Sequence, residues 1–393
     1  MSRNRVAGAL MTAGMLACAA ALLVVSTHGR STPYANASVL ADAIVHGHLW
    51  VDRHDPLIDS LAYRGHFWII EGPVTALLLV PFAAVFQHVN ETVEAMVLCL
   101  VGLFAASRTL GYLGVGWPAR AVLLAFLFAG TDLWWCAMLG DIWFLAHVAA
   151  VAFTFLALAE CFGKRRPWLV ALWACLAFGS RFSMILAVPL YVYLLARDVR
   201  RVMPRLVQFG AVVGAGLLLW VARDMVQYGT WRDIGYTLFY LQDPWGQTSG
   251  SPFRLAYFPY EFWSMFLQAP TYVEYRQIAQ WPIFRVDPKG VAITFTSPAL
   301  IYAFLAPRRP LTIALWATTI LVAAPSMFYY LNGWVQFGNR HALDFEPFVL
   351  VLMALAYQHR RRLEFWFLAL VTWSVGVGVW GVWYWNAFVR TGD

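Results

Sequence analysis

The chain has 393 residues, of which 61% are hydrophobic and only 12% charged, with a mean hydropathy of +0.62. A soluble domain carries about 25% charged and roughly 45–50% apolar residues, so a water-soluble protein of two or three domains is excluded. The net charge of +7 comes from basic residues that punctuate apolar runs rather than forming one basic face, so nucleic acid is not an expected partner.

The N-terminus opens with Arg3 and Arg5 and continues into an apolar stretch from Val6 to Val25. That stretch is near the roughly 20 residues a membrane span requires and longer than a signal-peptide core, so it predicts a retained signal anchor. In the connector 28–91, Tyr34, Val39, Leu40, Ala43 and Ile44 predict an amphipathic helix ending at Gly47 and lying on the membrane surface, with Asp42 as its one acid. Asp52, Asp55 and Asp59 read as solvated. The run 73–86 starts at Gly72-Pro73 and is interrupted by Pro81, so it predicts a re-entrant or interfacial helix.

Further apolar runs follow at 92–112, 119–131, 143–162, 167–179, 183–196, 207–222, 291–306, 311–328, 346–358 and 364–384. With the N-terminal run they predict a single all-α polytopic domain of about 11 transmembrane helices. Cys18, Cys99, Cys136, Cys161 and Cys175 lie in or beside these runs without a metal or redox spacing, and read as small buried hydrophobes. No repeat of fixed period is evident, which argues against a transporter built from inverted repeats.

Placing the connectors on alternate sides, N-terminus inside, puts 16 basic residues and three acids on the cytoplasmic side. The other side receives 11 basic residues and 18 acids, the asymmetry that positive-inside insertion produces. Counting 73–86 as a span would put Lys164, Arg165 and Arg166 outside, against that rule. The cytoplasmic connectors are short, whereas 28–91 and 223–290 are long and 132–142 and 329–345 intermediate. Long connectors are usually functional, so function is expected on the outer side.

The loop 223–290 is rich in aromatics, among them Trp231, Tyr236, Tyr240, Trp245, Tyr257, Tyr260, Trp263, Tyr272 and Trp281. Such residues form interfacial belts, and they also suit stacking against sugar rings. Ionisable residues beside apolar segments are costly and default to functional candidates: Asp141, His147, Arg340, Asp344 and Glu346. Each has a structural alternative as an ion pair or cap; Asp141 is placed to cap a helix starting at Trp143. Arg181 reads as a structural partner near the inner side. A Walker loop, a Gly-x-Ser-x-Gly elbow and a His-Glu-x-x-His helix are all absent.

The first helix is followed by Leu-Ala-Asp-Ala-Ile-Val-His-Gly-His-Leu-Trp-Val-Asp and then Tyr-Arg-Gly-His-Phe-Trp-Ile-Ile-Glu-Gly-Pro. Later come Gly-Thr-Asp-Leu-Trp-Trp, Gly-Asp-Ile-Trp-Phe-Leu-Ala-His, Gly-Ser-Arg-Phe-Ser and Gln-Phe-Gly-Asn-Arg-His-Ala-Leu-Asp-Phe-Glu-Pro. In order and topology this resembles the bacterial GT-C membrane glycosyltransferases, including the dolichyl-phosphate-mannose protein mannosyltransferase-like group. The resemblance implies a multi-helix bundle in the bacterial inner membrane. It also implies a polyprenyl-phosphate-linked sugar as donor and a glycan, lipid or protein acceptor, with transfer on the periplasmic side and inversion at the sugar carbon. An acid in the first outer loop would take the acceptor proton, and cationic groups or a divalent metal would hold the leaving phosphate.

Many members of that class carry an acid just after the first helix, where this chain has Pro33-Tyr-Ala-Asn36, and the paired acid motif is missing. Asp42 and Glu71 are therefore the candidate bases, with Asp141 lining the cleft. Arg340 and His341 are expected to hold phosphate, and Gln336, Asn339 and Asp344 to shape that pocket. Two other classes compete: a non-catalytic flippase or export subunit, and a degenerate scaffold.

Overall fold

A computed structural model describes residues 3–52, 59–86, 88–197, 202–244, 246–247, 249–272, 284–333 and 335–390. Asp55, Trp245 and Trp281 lie outside the described residues, as do Trp334 in the connector 329–345 and Asp198, Arg200 and Arg201, three of the charged residues expected on the cytoplasmic side. The architecture is all-α, and its long apolar helices fit a multi-pass membrane protein. Among the described residues six helices are long and apolar enough to cross a bilayer: α1 (Arg3–Thr27), α4 (Glu91–Tyr112), α7 (Ile142–Phe162), α10 (Val202–Tyr228), α14 (Pro310–Met327) and α16 (Phe365–Tyr384, continued by a π turn to Val389). A seventh arises if α5 (Trp117–Ala129) and α6 (Leu133–Leu139), bent by 49°, count as one broken span.

The remaining apolar runs form shorter pieces. These are α8 (Pro167–Ser180), a 3₁₀ turn Phe182–Ala187 leading into α9 (Val188–Ala196), α13 (Ile293–Thr296) with a 3₁₀ segment Pro298–Leu305, and α15 (Glu346–Arg360). Proline opens α8, α14 and the 3₁₀ segment, where its missing N–H costs nothing. At 1.5 Å per residue, the 15 residues of α15 rise about 22 Å, short of a hydrocarbon core of about 30 Å.

α7 is the axis. Of its most apolar stretch, 83% is buried inside the protein, against 6% for α10, whose Leu218 and Leu219 face outward. α4 crosses α7 through small residues, with Gly102 of α4 directly against Ala152 of α7. Close backbone approach of this kind is how helices associate where lipid removes the hydrophobic drive.

The first connector folds into α2 (Asn36–Val45), a hairpin of β1 (Ser60–Tyr63) and β2 (His66–Ile69), and α3 (Val74–Ala83) packed on α2. A helix is thus present where one was expected, with Gly47 just beyond its end at φ +88°. Trp68 of the hairpin packs with Leu61, Ile70 and Tyr228 in a second, smaller core. The 223–290 connector supplies α11 (Gly235–Gln242), α12 (Phe258–Phe266) and a short pair, β3 (Thr271–Tyr272) with β4 (Phe284–Arg285). The two ends of the bundle sequence meet: Arg30 Nη1 donates to Arg390 O at 2.9 Å and Asn386 Nδ2 to Ser26 O at 3.0 Å.

Candidate functional site

Buried polar side chains gather where the long connectors cover the bundle. A 3₁₀ turn, Arg340–Asp344, precedes α15 and carries most of the cationic side of the site. Asp344 is 1% exposed and accepts from Ser183 Oγ at 2.8 Å and from Arg181 Nη2 at 3.2 Å. Its other oxygen lies 2.6 Å from His147 Nδ1. Burial alone would raise the Asp344 carboxyl, but the Arg181 charge and the hydrogen bond with His147 hold it well below the usual carboxylate range. Arg181 Nη2 also reaches His341 Nδ1 at 3.2 Å, which fixes that nitrogen as the acceptor. Burial, then Arg181, lowers the His341 imidazole well below its ordinary value, so His341 is neutral.

The segment before the turn is held by its amide side chains. Gln336 Nε2 donates to Lys289 O at 2.9 Å and to Asn332 O at 3.0 Å. Its oxygen accepts from Arg340 Nη1 at 3.4 Å, and the Arg340 guanidinium sits 5.2 Å above the Phe144 ring. Burial pushes Arg340 down to about 10, so it stays cationic at neutral pH, and it feels the charges of Asp141 and Asp59. The backbone of Asn339 donates to Asp132.

Facing this cation is a group of carboxylates. Asp59 accepts from Trp143 Nε1 at 2.6 Å. Glu71 is buried beside Asp59, and its Oε2 has no partner among the described residues. Burial first, and the Asp59 charge second, push Glu71 up to about 8. Its position is set by a backbone contact. A Cβ on Gly72 would collide with the carbonyl of Gly179, so only glycine lets the Glu71 segment lie against the end of α8, two residues before Arg181. Asp141 stands at the N-cap position of α7, but its side chain makes no cap bond; Thr32 Oγ1 donates to it at 2.5 Å.

The structure therefore brings Glu71, Asp141, Gln336, Asn339, Arg340, His341 and Asp344 into one region. Asp42 is not part of it. Its side chain is 69% exposed and, among the described residues, pairs with His46 alone at 3.6 Å, because this face of α2 points away from the bundle. Asp42→Asn should leave stability within about 0.5 kcal/mol and any activity at the wild-type level, checked by thermal unfolding and transfer assay of the same preparation. Two other expectations change. Asp59, read as solvated, is drawn in by Trp143, while Asp52 is exposed as expected. Arg181, read as an inner-side partner, lies at the turn between α8 and the following 3₁₀ segment, bound to Asp344.

Asp59, Asp132, Ser183 and Thr32 were not legible as site residues, since their partners come from distant segments. Arg181 had a signal: a cation within an apolar run needs a counter-charge, and Asp344 was a candidate. Among the described residues no three His, Cys, Asp or Glu side chains converge to hold a metal ion; the site's protein cations are Arg181 and Arg340. The arrangement can bind an anion at Arg340 and accept a proton at a carboxylate opposite it. No family model matches the chain, and no curated protein or solved structure matches it either.

Proposed function

We propose that the chain is a membrane glycosyltransferase. It moves a sugar from a polyprenyl-phosphate donor to a hydroxyl of a glycan, lipid or protein acceptor, at the periplasmic face of a bacterial inner membrane. In this reading the N-terminus is cytoplasmic, and the shorter apolar helices complete a GT-C-like bundle of about eleven. The observation that carries it is the buried Arg340 facing Asp59 and Asp141, with Glu71 next to Asp59, all beneath an aromatic-rich outer layer.

Glu71 is the proposed base. The acceptor hydroxyl gives its proton to the Glu71 carboxylate, the acceptor oxygen bonds to the sugar carbon from the face opposite phosphate, and the bond from that carbon to the phosphate oxygen breaks. The departing phosphate takes the electron pair and is met by Arg340 and by the neutral, donor-capable ring of His341. Asp344 stays ionised and fixes Arg181, so its role is positioning. A base with a pKa near the working pH is well matched to this step. The exposed ring of His66 and the half-buried ring of Trp50, 4.5 Å apart and backed by buried Trp68 at 5.8 to 5.9 Å, offer flat faces for sugar rings.

The reading is tested by binding of a fluorescent polyprenyl phosphate to the reconstituted chain. Arg340→Gln should weaken it about tenfold or more, the loss of one charge-assisted contact. Unchanged binding would remove the phosphate site. Tight binding with flipping of the lipid but no transfer would favour the carrier reading.

A further inference from the structure

A second site lies at the opposite end of the bundle. α1, the C-terminal half of α4 and the start of α5 enclose a groove of about 780 Å³. Its walls are small or apolar, including Ala9, Ala13 and Phe104, and Phe104 is 47% exposed on the lipid-facing side. Two hydroxyls, Thr12 and Ser107, bond to each other at 2.8 Å within it.

One end of the groove is cationic. Arg108 and Arg120 both line it, close enough to repel each other, and none of its lining residues is acidic. Arg120 is fitted into the wall: Gly8 and Gly111 make room for its guanidinium, which would lie 3.1 to 3.6 Å from a Cβ at either position. Arg120 Nη2 donates to Val115 O at 3.0 Å, while its buried Nε has no partner among the described residues. Among the described residues the polar partner of the Arg108 guanidinium is the Tyr112 hydroxyl, and the Tyr112 ring lies beside it. Two adjacent guanidiniums without a carboxylate need an anion, and apolar walls leading away from them suit a hydrocarbon chain.

The geometry points to an anionic phospholipid as the occupant of this groove, with its phosphate between Arg108 and Arg120 and an acyl chain along Ala9 and Ala13. A soluble anion would leave the apolar length of the groove unused; a zwitterionic lipid would leave the second guanidinium uncompensated. The proposal is independent of the catalytic reading, since neither arginine belongs to the site described above.

The test uses the full chain in detergent, incubated with phosphatidylglycerol or phosphatidylcholine and examined by native mass spectrometry. Phosphatidylglycerol should be retained about tenfold more strongly than phosphatidylcholine. Arg108→Gln should abolish that preference, and Arg108→Lys should restore part of it. Ala13→Trp, which fills the slot and leaves both arginines, should lower retention of both lipids. Both positions are exposed, so each variant should elute as the wild type does. Equal retention of the two lipids, no change in Arg108→Gln or in Ala13→Trp, or displacement of phosphatidylglycerol by millimolar inorganic phosphate would each overturn the proposal.

Discussion

Replacing Asp344 by alanine should destabilise the protein by about 3–5 kcal/mol, the usual cost of removing one partner from a buried ion pair. Asp344 satisfies Arg181, His147 and Ser183 at once, and these come from two separate stretches of chain, α7 and the turn after α8. Without the carboxylate, the Arg181 charge has no counter-ion, and the turn at the end of α8 loses its tie to the turn before α15. Asp344→Asn keeps an acceptor for Ser183 but not the charge, so it should fall between the two. Thermal unfolding of the purified protein in lipid nanodiscs reads the difference. An alanine variant that melts within a degree or two of wild type would show that Arg181 is not held by this pair, and Asp344 would lose its positioning role.

The second large effect concerns Glu71. Glu71→Gln should reduce sugar transfer by about 10²–10⁴-fold, the range for loss of a general base, while leaving polyprenyl phosphate binding intact. The wild-type rate should rise with pH and level off above about 8, where the Glu71 carboxyl has ionised. Because the Asp59 charge contributes to that upward displacement, Asp59→Asn should move the rising limb to lower pH. The same group gives a stability signature of defined sign. Its folded-state value of about 8 lies above the ordinary 4.5, so the folded form holds the proton more tightly. The stabilising contribution is complete below about pH 4.5 and is lost as pH climbs through 8. Melting temperature should therefore fall over that window, and less steeply in Glu71→Gln. A flat pH–rate profile together with wild-type transfer by Glu71→Gln would move the base to Asp59 or Asp141.

Much of the scaffold was legible because lipid imposes a strong pattern. The six long helices coincide with six apolar runs, and the short helix after Gly72-Pro73 is where proline and length placed it. The shorter helices were less legible as crossings, because apolarity alone does not distinguish a span from a buried segment such as α15. Sequence proximity served Gln336 to Asp344 well, since one contiguous segment carries them. It failed for Asp59, whose partner Trp143 is 84 residues away, and for Asp42, where the face of a surface helix turns on its packing partner α3. Arg181 shows both sides: its need for a counter-charge was visible, its location at the turn that ends α8, beside Asp344, was not.

The contact between Ser26 and Asn386, and that between Arg30 and Arg390, each join positions 360 residues apart. During synthesis α1 must therefore wait, with this edge uncovered, until nearly the whole described chain has been made. Non-local closure of this kind is slow and leaves an intermediate exposed to wrong partners. A ribosome stalled before α16 would hold a bundle that is inserted but unlatched, the state on which membrane quality control would act.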